Sequence, residues 1–380
     1  MSVDILVNQL DEHNQSSILV AKKFKPKEVL FIYDKKDEDL MNSLQDYYLK
    51  YEPLVIFERR CISEGNIEEL EKVININKNK DILINLTGGS RINSLILLDI
   101  CNKNSLESIY VDIRKKILYK IGNEIELLKE EFDDMNLDSL IKSAGGKLIS
   151  DSTRLCDKEE LIYLTKKIYK NLNLWHKYKQ KLYDMNIFVH DYQDSEKVII
   201  KKENLNREEI QLLNKILSEL KKLNGIDYLE IDKNQIEVNF KNEYLKSFIF
   251  KSGTWLEIAT DIIIREIKEM DEVKSGVMFF WNDKSKIVRN EVDVVAVKDS
   301  IPICISCKDS DKYNEDALNE LDVYSKQIGG DKAYKILVAT KNPIKSAVIE
   351  RAKEMDIDIV IFDGDEEKFK DKIQKIIRRN

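Results

Sequence analysis

Residues 81–91 read DILINLTGGSR. Ile82, Leu83 and Ile84 form an apolar run without polar alternation, then Thr87-Gly88-Gly89-Ser90 turns the chain, and RINSLILLDI continues at helical spacing. A continuously apolar strand is covered on both faces, and a strand that feeds a helix belongs to a parallel sheet. The unit recurs on both sides of this stretch. VDILVNQ from Val3, EVLFIYD from Glu28, PLVIFERR from Pro53 and SIYVDIR from Ser108 read as further strands. Between them, Ser16–Phe24, Asp37–Lys50, Gly65–Asn77 and Ser90–Asn102 read as helices. Strand and helix in alternation predict a doubly wound, Rossmann-like α/β domain, with ligands bound beyond the carboxyl ends of its strands.

The chain has 380 residues, 43% apolar and 34% charged, with 62 Lys+Arg against 69 Asp+Glu. That length accommodates more than one domain. Twelve Gly and four Pro in 380 residues exclude collagen-like and linker-rich classes. The N-terminus has no basic n-region or long apolar core, and no run of about 18 apolar residues occurs, so no signal peptide, no membrane span and a cytoplasmic location are expected. Five scattered cysteines read as reduced thiols. Cys304-Ile-Ser-Cys307 has CxxC spacing but lies in an apolar run, so a buried strand competes with redox or zinc use. The net charge of -7 argues only weakly against a nucleic-acid partner: no segment is a basic tail, so any phosphate contact must come from folded, locally arranged groups.

Three parts are predicted: an α/β domain over 1–150, a connector over 151–242 and a second domain over 243–380. The connector is helical from Cys156 to Asp184, followed by a helix over Asn206–Leu223 and a hairpin around Asp232-Lys-Asn234. The helix and hairpin read as a spacer or as a winged element touching nucleic acid. The last part reads helix (Gly253–Met270), strands (Gly276–Trp281, Glu291–Val297, Pro302–Lys308), helix (Asn314–Gln327), strand (Lys335–Thr340), helix (Pro343–Glu354) and strand (Ile357–Phe362), a small mixed sheet.

Two constellations carry chemistry. At Asn85–Arg91, Thr87 or Ser90 can cap the helix, Gly88 and Gly89 allow close backbone approach, and free N–H groups with Arg91 attract an anion. A Gly-containing strand-to-helix turn is the plain alternative. Asn8, Gln9, His13 and Asn14 lie on the same rim, where amides can read base edges; His13 reads better as a surface residue than as a catalyst. In the last part, Glu291 and Asp293 point to one face of a strand, Lys308 ends the next strand, and Glu257 sits on an otherwise apolar helix. Three carboxylates and a lysine suit Mg²⁺ or Mn²⁺. Singly, each is equally read as a solvated or edge residue. Tyr324, Lys326 and Gln327 on the following helix are candidates to face a substrate phosphate.

The strand–polar loop–helix and strand–TGGS–R–helix pattern resembles the CRISPR-associated Rossmann fold (CARF) sensors of cyclic oligoadenylates. That resemblance implies Asn8, Gln9, Asn14, Thr87, Gly88, Gly89, Ser90 and Arg91 as ligand-binding residues. The α-β-β-β-α-β order with Glu257, Asp293 and Lys308 resembles the PD-(D/E)xK, restriction-endonuclease-like core. One departure is Ser306, two before Lys308, where that family places Glu or Asp; Glu291 and the Cys307 carbonyl are the implied substitutes as metal ligands. Together the two resemble the single-CARF ancillary nucleases of type III CRISPR systems. The implied protein is a homodimer activated by a cyclic oligoadenylate, with cyclic tetra-adenylate the expected ring, that cleaves DNA, nicked or single-stranded, and RNA as a further substrate, in antiviral defence. The competing reading is a ligand-responsive nucleic-acid-binding regulator with an inactive nuclease fold.

Overall fold

The computed structural model describes residues 3–77, 79–191, 193–251, 253–283 and 286–379. The first sheet contains β1 (Ile5–Gln9), β2 (Glu28–Tyr33), β3 (Ile56–Cys61), β4 (Ile82–Asn85), β5 (Glu107–Asp112), β6 (Ile117–Ile121) and β7 (Ile125–Lys129), in the order β3-β2-β1-β4-β5-β6-β7. The first five strands are parallel, and β6 and β7 add an antiparallel hairpin at one edge. Helices α1 (Gln15–Phe24), α2 (Glu38–Tyr51), α3 (Ile67–Asn77) and α4 (Arg91–Asn104) cross between strands, and α5 (Leu137–Ser143) follows. Side chains alternate across the sheet as the strand period requires. Ile5, Val7, Leu30 and Ile32 pack beneath α3 and α4, whereas Leu6, Val29 and Phe31 pack on the α1–α2 side. Strand order reverses between β1 and β4, the switch point where such sheets leave a crevice.

A strand β8 (Lys147–Ser150) leaves the first sheet's part of the chain and pairs with β13 (Glu272–Asp283) at the edge of a six-stranded sheet. Strands β9 (Phe188–His190), β10 (Lys197–Lys201), β11 (Ile226–Glu230) and β12 (Gln235–Phe240) form a separate antiparallel sheet in the order β11-β12-β10-β9. The hairpin expected around Asp232 is β11–β12. It is embedded in four strands, and α8 (Arg207–Lys222) lays Leu213, Leu217 and Leu220 into the same core. The expected continuous helix over 156–184 is instead α6 (Glu159–Tyr169) and α7 (Leu172–Tyr178), because the chain breaks at Lys170-Asn171.

The six-stranded sheet is completed by β14 (Lys286–Lys298), β15 (Ile301–Lys308), β16 (Tyr334–Ala339) and β17 (Asp358–Ile361), ordered β17-β16-β15-β14-β13-β8. Helices α9 (Glu243–Phe250), α10 (Thr254–Arg265), α11 (Glu315–Gly329), α12 (Ser346–Glu354) and α13 (Glu366–Ile377) flank it. Alternation again divides the cores: Ile303, Ile305 and Cys307 face α10, and Cys304 faces α11. The two cysteines of the CxxC therefore lie on opposite faces and cannot share a metal. Both are buried, as the strand reading expects, and all five thiols are free. No helix among the described residues is long and apolar enough to cross a membrane.

The α1–α2–α5 side of the first sheet and the α11–α12 side of the third share one continuous core, from Val20 and Ile141 through to Val277, Phe279 and Leu321. The hairpin turn between β14 and β15 docks into it. Asp299 and Ser300 both have positive φ, 51° and 64°, which matches the right-handed twist of a two-residue hairpin. The Ser300 carbonyl accepts from Gln15 Nε2, and its hydroxyl accepts from Met135 N at 2.8 Å. Ser300→Ala should cost about 1–3 kcal/mol in urea unfolding, because it orphans a buried N–H. Ser300→Gly loses the same bond but relieves the positive φ, and should cost less; an Ala variant as stable as wild type would contradict this account.

Candidate functional site

At the switch point the ends of β1 and β4 carry amides instead of apolar side chains. Asn8 is fully buried; its Oδ1 accepts from Asn85 Nδ2 at 3.0 Å, and its own Nδ2 has no partner among the described residues. Gln9 donates to Ser94 Oγ at 2.8 Å and leaves Oε1 buried and unpartnered. Two orphaned amide atoms on one rim are costly unless something polar comes to meet them. The glycine loop leans directly on this pair. Gly89 has φ 81°, and a Cβ there would lie 2.4 Å from Gln9 Cβ; one on Gly88 would lie 3.0 Å from Asp11 Oδ2. Thr87 is tied inward, donating to Asn85 Oδ1 at 2.6 Å and accepting from Val111 N at 2.9 Å.

Ser90 is the N-cap residue of α4, but its hydroxyl donates to Glu64 instead of capping. The first N–H groups of α4 have no acceptor inside the helix. Arg91 is exposed and forms no ion pair among the described residues. Asn14 differs from its expected role. It is fully buried, with Oδ1 accepting from Asp11 N and Nδ2 donating to the carbonyls of Asp11 and Ser143, so it clamps the loop and has no donor left for a ligand. His13 is half-buried against Gly330 of the turn after α11, not on the free surface. Asn85, which opens the Asn85–Arg91 stretch, completes the rim together with Asp11 and Glu64; these last two are polar loop side chains that carry no periodic signal.

The second site forms where β14 and β15 part. Their ladder ends at Val294↔Ile305. One residue beyond, Asp293 turns its carboxylate across the gap: Oδ2 accepts from Cys307 N at 2.6 Å and from Ser306 Oγ at 3.2 Å. Ser306 thus braces Asp293. Burial pushes the Asp293 carboxyl up, opposed by Lys308 and by these two donors. Glu257, in the first turn of α10, is raised to about 7, by burial first and then by the charges of Asp293 and Glu291, with Lys308 opposing. Glu257, Glu291, Asp293 and Lys308 therefore share one field. Glu291 is exposed at its edge, and Lys308 is half-buried without an ion pair among the described residues. No three His, Cys, Asp or Glu side chains among the described residues close on a single point. The Cys307 thiol is buried against Thr260, and burial holds its pKa well above the ordinary value. On α11, Tyr324 donates to Glu320, Lys326 pairs with Asp322 at 2.9 Å, and Gln327 accepts from Asn290 at 2.8 Å.

Comparison with known proteins follows this geometry. Residues 244–379 match the family model described as "Card1-like, endonuclease domain". Can2 from Sulfobacillus thermosulfidooxidans, solved in complex with cyclic tetra-adenylate, is 18% identical, with TM-score 0.73 over 99% of this chain and 98% of that one. Protein VC1899 from Vibrio cholerae is 18% identical, with TM-score 0.74 over 98% and 97%. A type III CRISPR defence DNA nuclease activated by cyclic oligoadenylate is 14% identical, with TM-score 0.54 over 92% of this chain and 48% of that one. A search of curated proteins finds no match. The fold expected from sequence, a doubly wound α/β sheet joined to a second, mixed α/β sheet, is this chain's fold.

A free glutamate titrates near 4.5, and Glu257 in the fold near 7. Between those values the unfolded chain has released a proton that the folded chain still holds, so this group's contribution to stability declines from pH 4.5 to 7 and stays low above. Glu257→Gln removes the slope. Relative to wild type, that variant should gain up to about 3 kcal/mol on going from pH 4.5 to 8. A pH-independent difference in urea-unfolding free energy would contradict the shift.

Proposed function

We propose that this chain is a cyclic-oligoadenylate-activated, metal-dependent endonuclease of type III CRISPR defence, with DNA as its substrate and RNA as a further one. The observation that carries the reading is the union of Glu257, Asp293 and Lys308 at the parting of β14 and β15, in a chain whose other sheet offers orphaned amides at its switch point. The proposed division is a sensor over 1–150, a connector over 151–242 and a nuclease over 243–380, working in the cytoplasm.

The donor set is hard oxygen and carries too much buried negative charge to sit well alone, which fits Mg²⁺ or Mn²⁺. Glu257 and Asp293 would hold the cation, with Glu291 and the Cys307 carbonyl assisting. Bound there, such an ion polarises a phosphodiester and lowers the pKa of water. Ser306 keeps Asp293 aimed, standing where the related nucleases place an acid. Lys308, without an ion pair among the described residues, orients the attacking water and neutralises charge developing on the phosphate.

On the sensor, Asn8 Nδ2 and Gln9 Oε1 are placed to read a base, and the glycine loop, the α4 N-terminus and Arg91 to hold phosphates. Next to them Ile92 and Leu95 are 46% and 63% exposed on α4. This apolar strip supports a homodimer, whose two-fold axis suits a symmetric cyclic ligand. Activation then requires the ligand to favour the cleaving arrangement of the dimer.

Purified chain incubated with Mn²⁺ and plasmid or single-stranded DNA should cleave only when cyclic tetra-adenylate is added. Lys308→Ala should lower the rate at least about 100-fold. Ligand-independent or absent cleavage, or an undiminished Lys308→Ala, would overturn the mechanism. Gly89→Ala forces a Cβ into Gln9 at a positive φ, and calorimetry should show about a tenfold or greater loss of cyclic tetra-adenylate affinity. Wild-type affinity in that variant would displace the ligand from the switch point.

A further inference from the structure

Immediately after Lys308 the chain buries a second carboxylate that the proposed mechanism leaves unused. Asp309 has a side chain only 2% exposed. Its Oδ2 accepts from Trp175 Nε1 at 2.7 Å and Trp255 Nε1 at 2.9 Å, and pairs with Lys179 Nζ at 3.0 Å. Its Oδ1 accepts from Thr340 Oγ1 at 2.9 Å and lies 3.1 Å from His176 Nε2. Lys179 also donates to the Asp309 carbonyl. The two indoles meet edge to face with centroids 6.4 Å apart.

A carboxylate has about four acceptor positions, and five donors fill these completely. Asp309 therefore has nothing left to offer a metal, water or substrate. What it holds is informative. Trp255 stands two residues before Glu257 on α10, Thr340 follows β16, and Asp309 follows Lys308. Trp175 and His176 belong to α7, and Lys179 follows it; all three lie far from the nuclease sheet in sequence. Burying an ion costs several kcal/mol unless every lone pair is met, so this carboxylate is stable only while all these elements stand in one arrangement.

We propose that Asp309 is a positioning residue, which through Trp255 and its peptide link to Lys308 fixes Glu257 and Lys308 relative to each other, and that α7 with the following Lys179 completes the nuclease site by supplying three of the five donors to Asp309. The proposal rests on the nuclease reading above. Displacing α7 releases the carboxylate, and the two groups on either side of the reacting phosphate lose their common anchor. Misplacement of about 1 Å is enough to cost a large factor in rate.

Asp309→Asn keeps the shape and removes the charge; Trp175→Phe removes one N–H from outside the sheet. Tyr169→Phe, which loses a bond to Glu366 at 2.5 Å on α13, is the control for stability alone. Mn²⁺ is titrated onto each intact variant without nucleic acid, and kcat and KM are measured per folded molecule. Asp309→Asn should weaken Mn²⁺ binding and lower kcat about 10- to 100-fold with KM unchanged. Trp175→Phe should move both in the same direction by a smaller factor, and Tyr169→Phe neither. Wild-type Mn²⁺ affinity and kcat in folded Asp309→Asn and Trp175→Phe, whatever their melting temperatures, overturn the proposal. Should Asp309→Asn fail to fold, Trp175→Phe decides. Full cleavage by Lys308→Ala would sink the nuclease reading instead, and the Mn²⁺ affinities would still decide the role of Asp309.

Discussion

One hydrogen bond governs the half of the molecule built on the six-stranded sheet, the 2.6 Å contact from Cys307 N to Asp293 Oδ2. For a site to open in the middle of a packed sheet, two strands have to part, and parting leaves buried backbone donors without acceptors. Asp293 takes over one of these donors at the residue where the β14–β15 ladder stops. The acid is therefore both the end of a ladder and the start of a charged site. Its burial follows from that position, and its charge adds to the burial of Glu257 in raising that group's pKa. Lys308 is the last residue of β15 and Asp309 follows it, which explains how a half-buried lysine and a sealed carboxylate can be adjacent in sequence: alternation sends them to opposite faces.

The first sheet solves a related problem in the opposite way. At the β1–β4 switch point the donors and acceptors are left open, with Asn8 Nδ2 and Gln9 Oε1 buried and unpartnered. Close packing of Gly89 on Gln9 makes this rim rigid. A rigid, unsatisfied rim is ready for a polar ligand at little cost in ordering.

Much of this was legible in the sequence because strand and helix periods differ. Continuous apolar runs such as ILIN and VVAV gave the two sheets, and charges inside such runs, Asp293 and Lys308, marked the site. Other parts left no pattern. Phe188–His190 is three residues long, too short to alternate, so the four-stranded sheet of the connector was read as helix and hairpin. Asn14 and Asn8 look alike in sequence, yet one closes its own turn and the other is left open; only the tertiary partners, Ser143 and Asn85, tell them apart. Ser306 stands in the sequence only as a departure from an expected acid, and in the fold it donates to Asp293 at 3.2 Å. Asp309 collects donors 133, 134 and 54 residues away, and no local spacing announces such a convergence.

The strand Lys147–Ser150 has an implication for how such chains change over time. It borders the far side of the six-stranded sheet by pairing with β13, although it precedes the connector in sequence. An unpaired sheet edge is an invitation to the wrong partner. Recombination that exchanged one N-terminal half for another after residue 150 would leave β13 bare unless the incoming half brought a strand of its own. The two halves look like separable modules, but they are stitched together by backbone, so they are expected to be inherited as one unit.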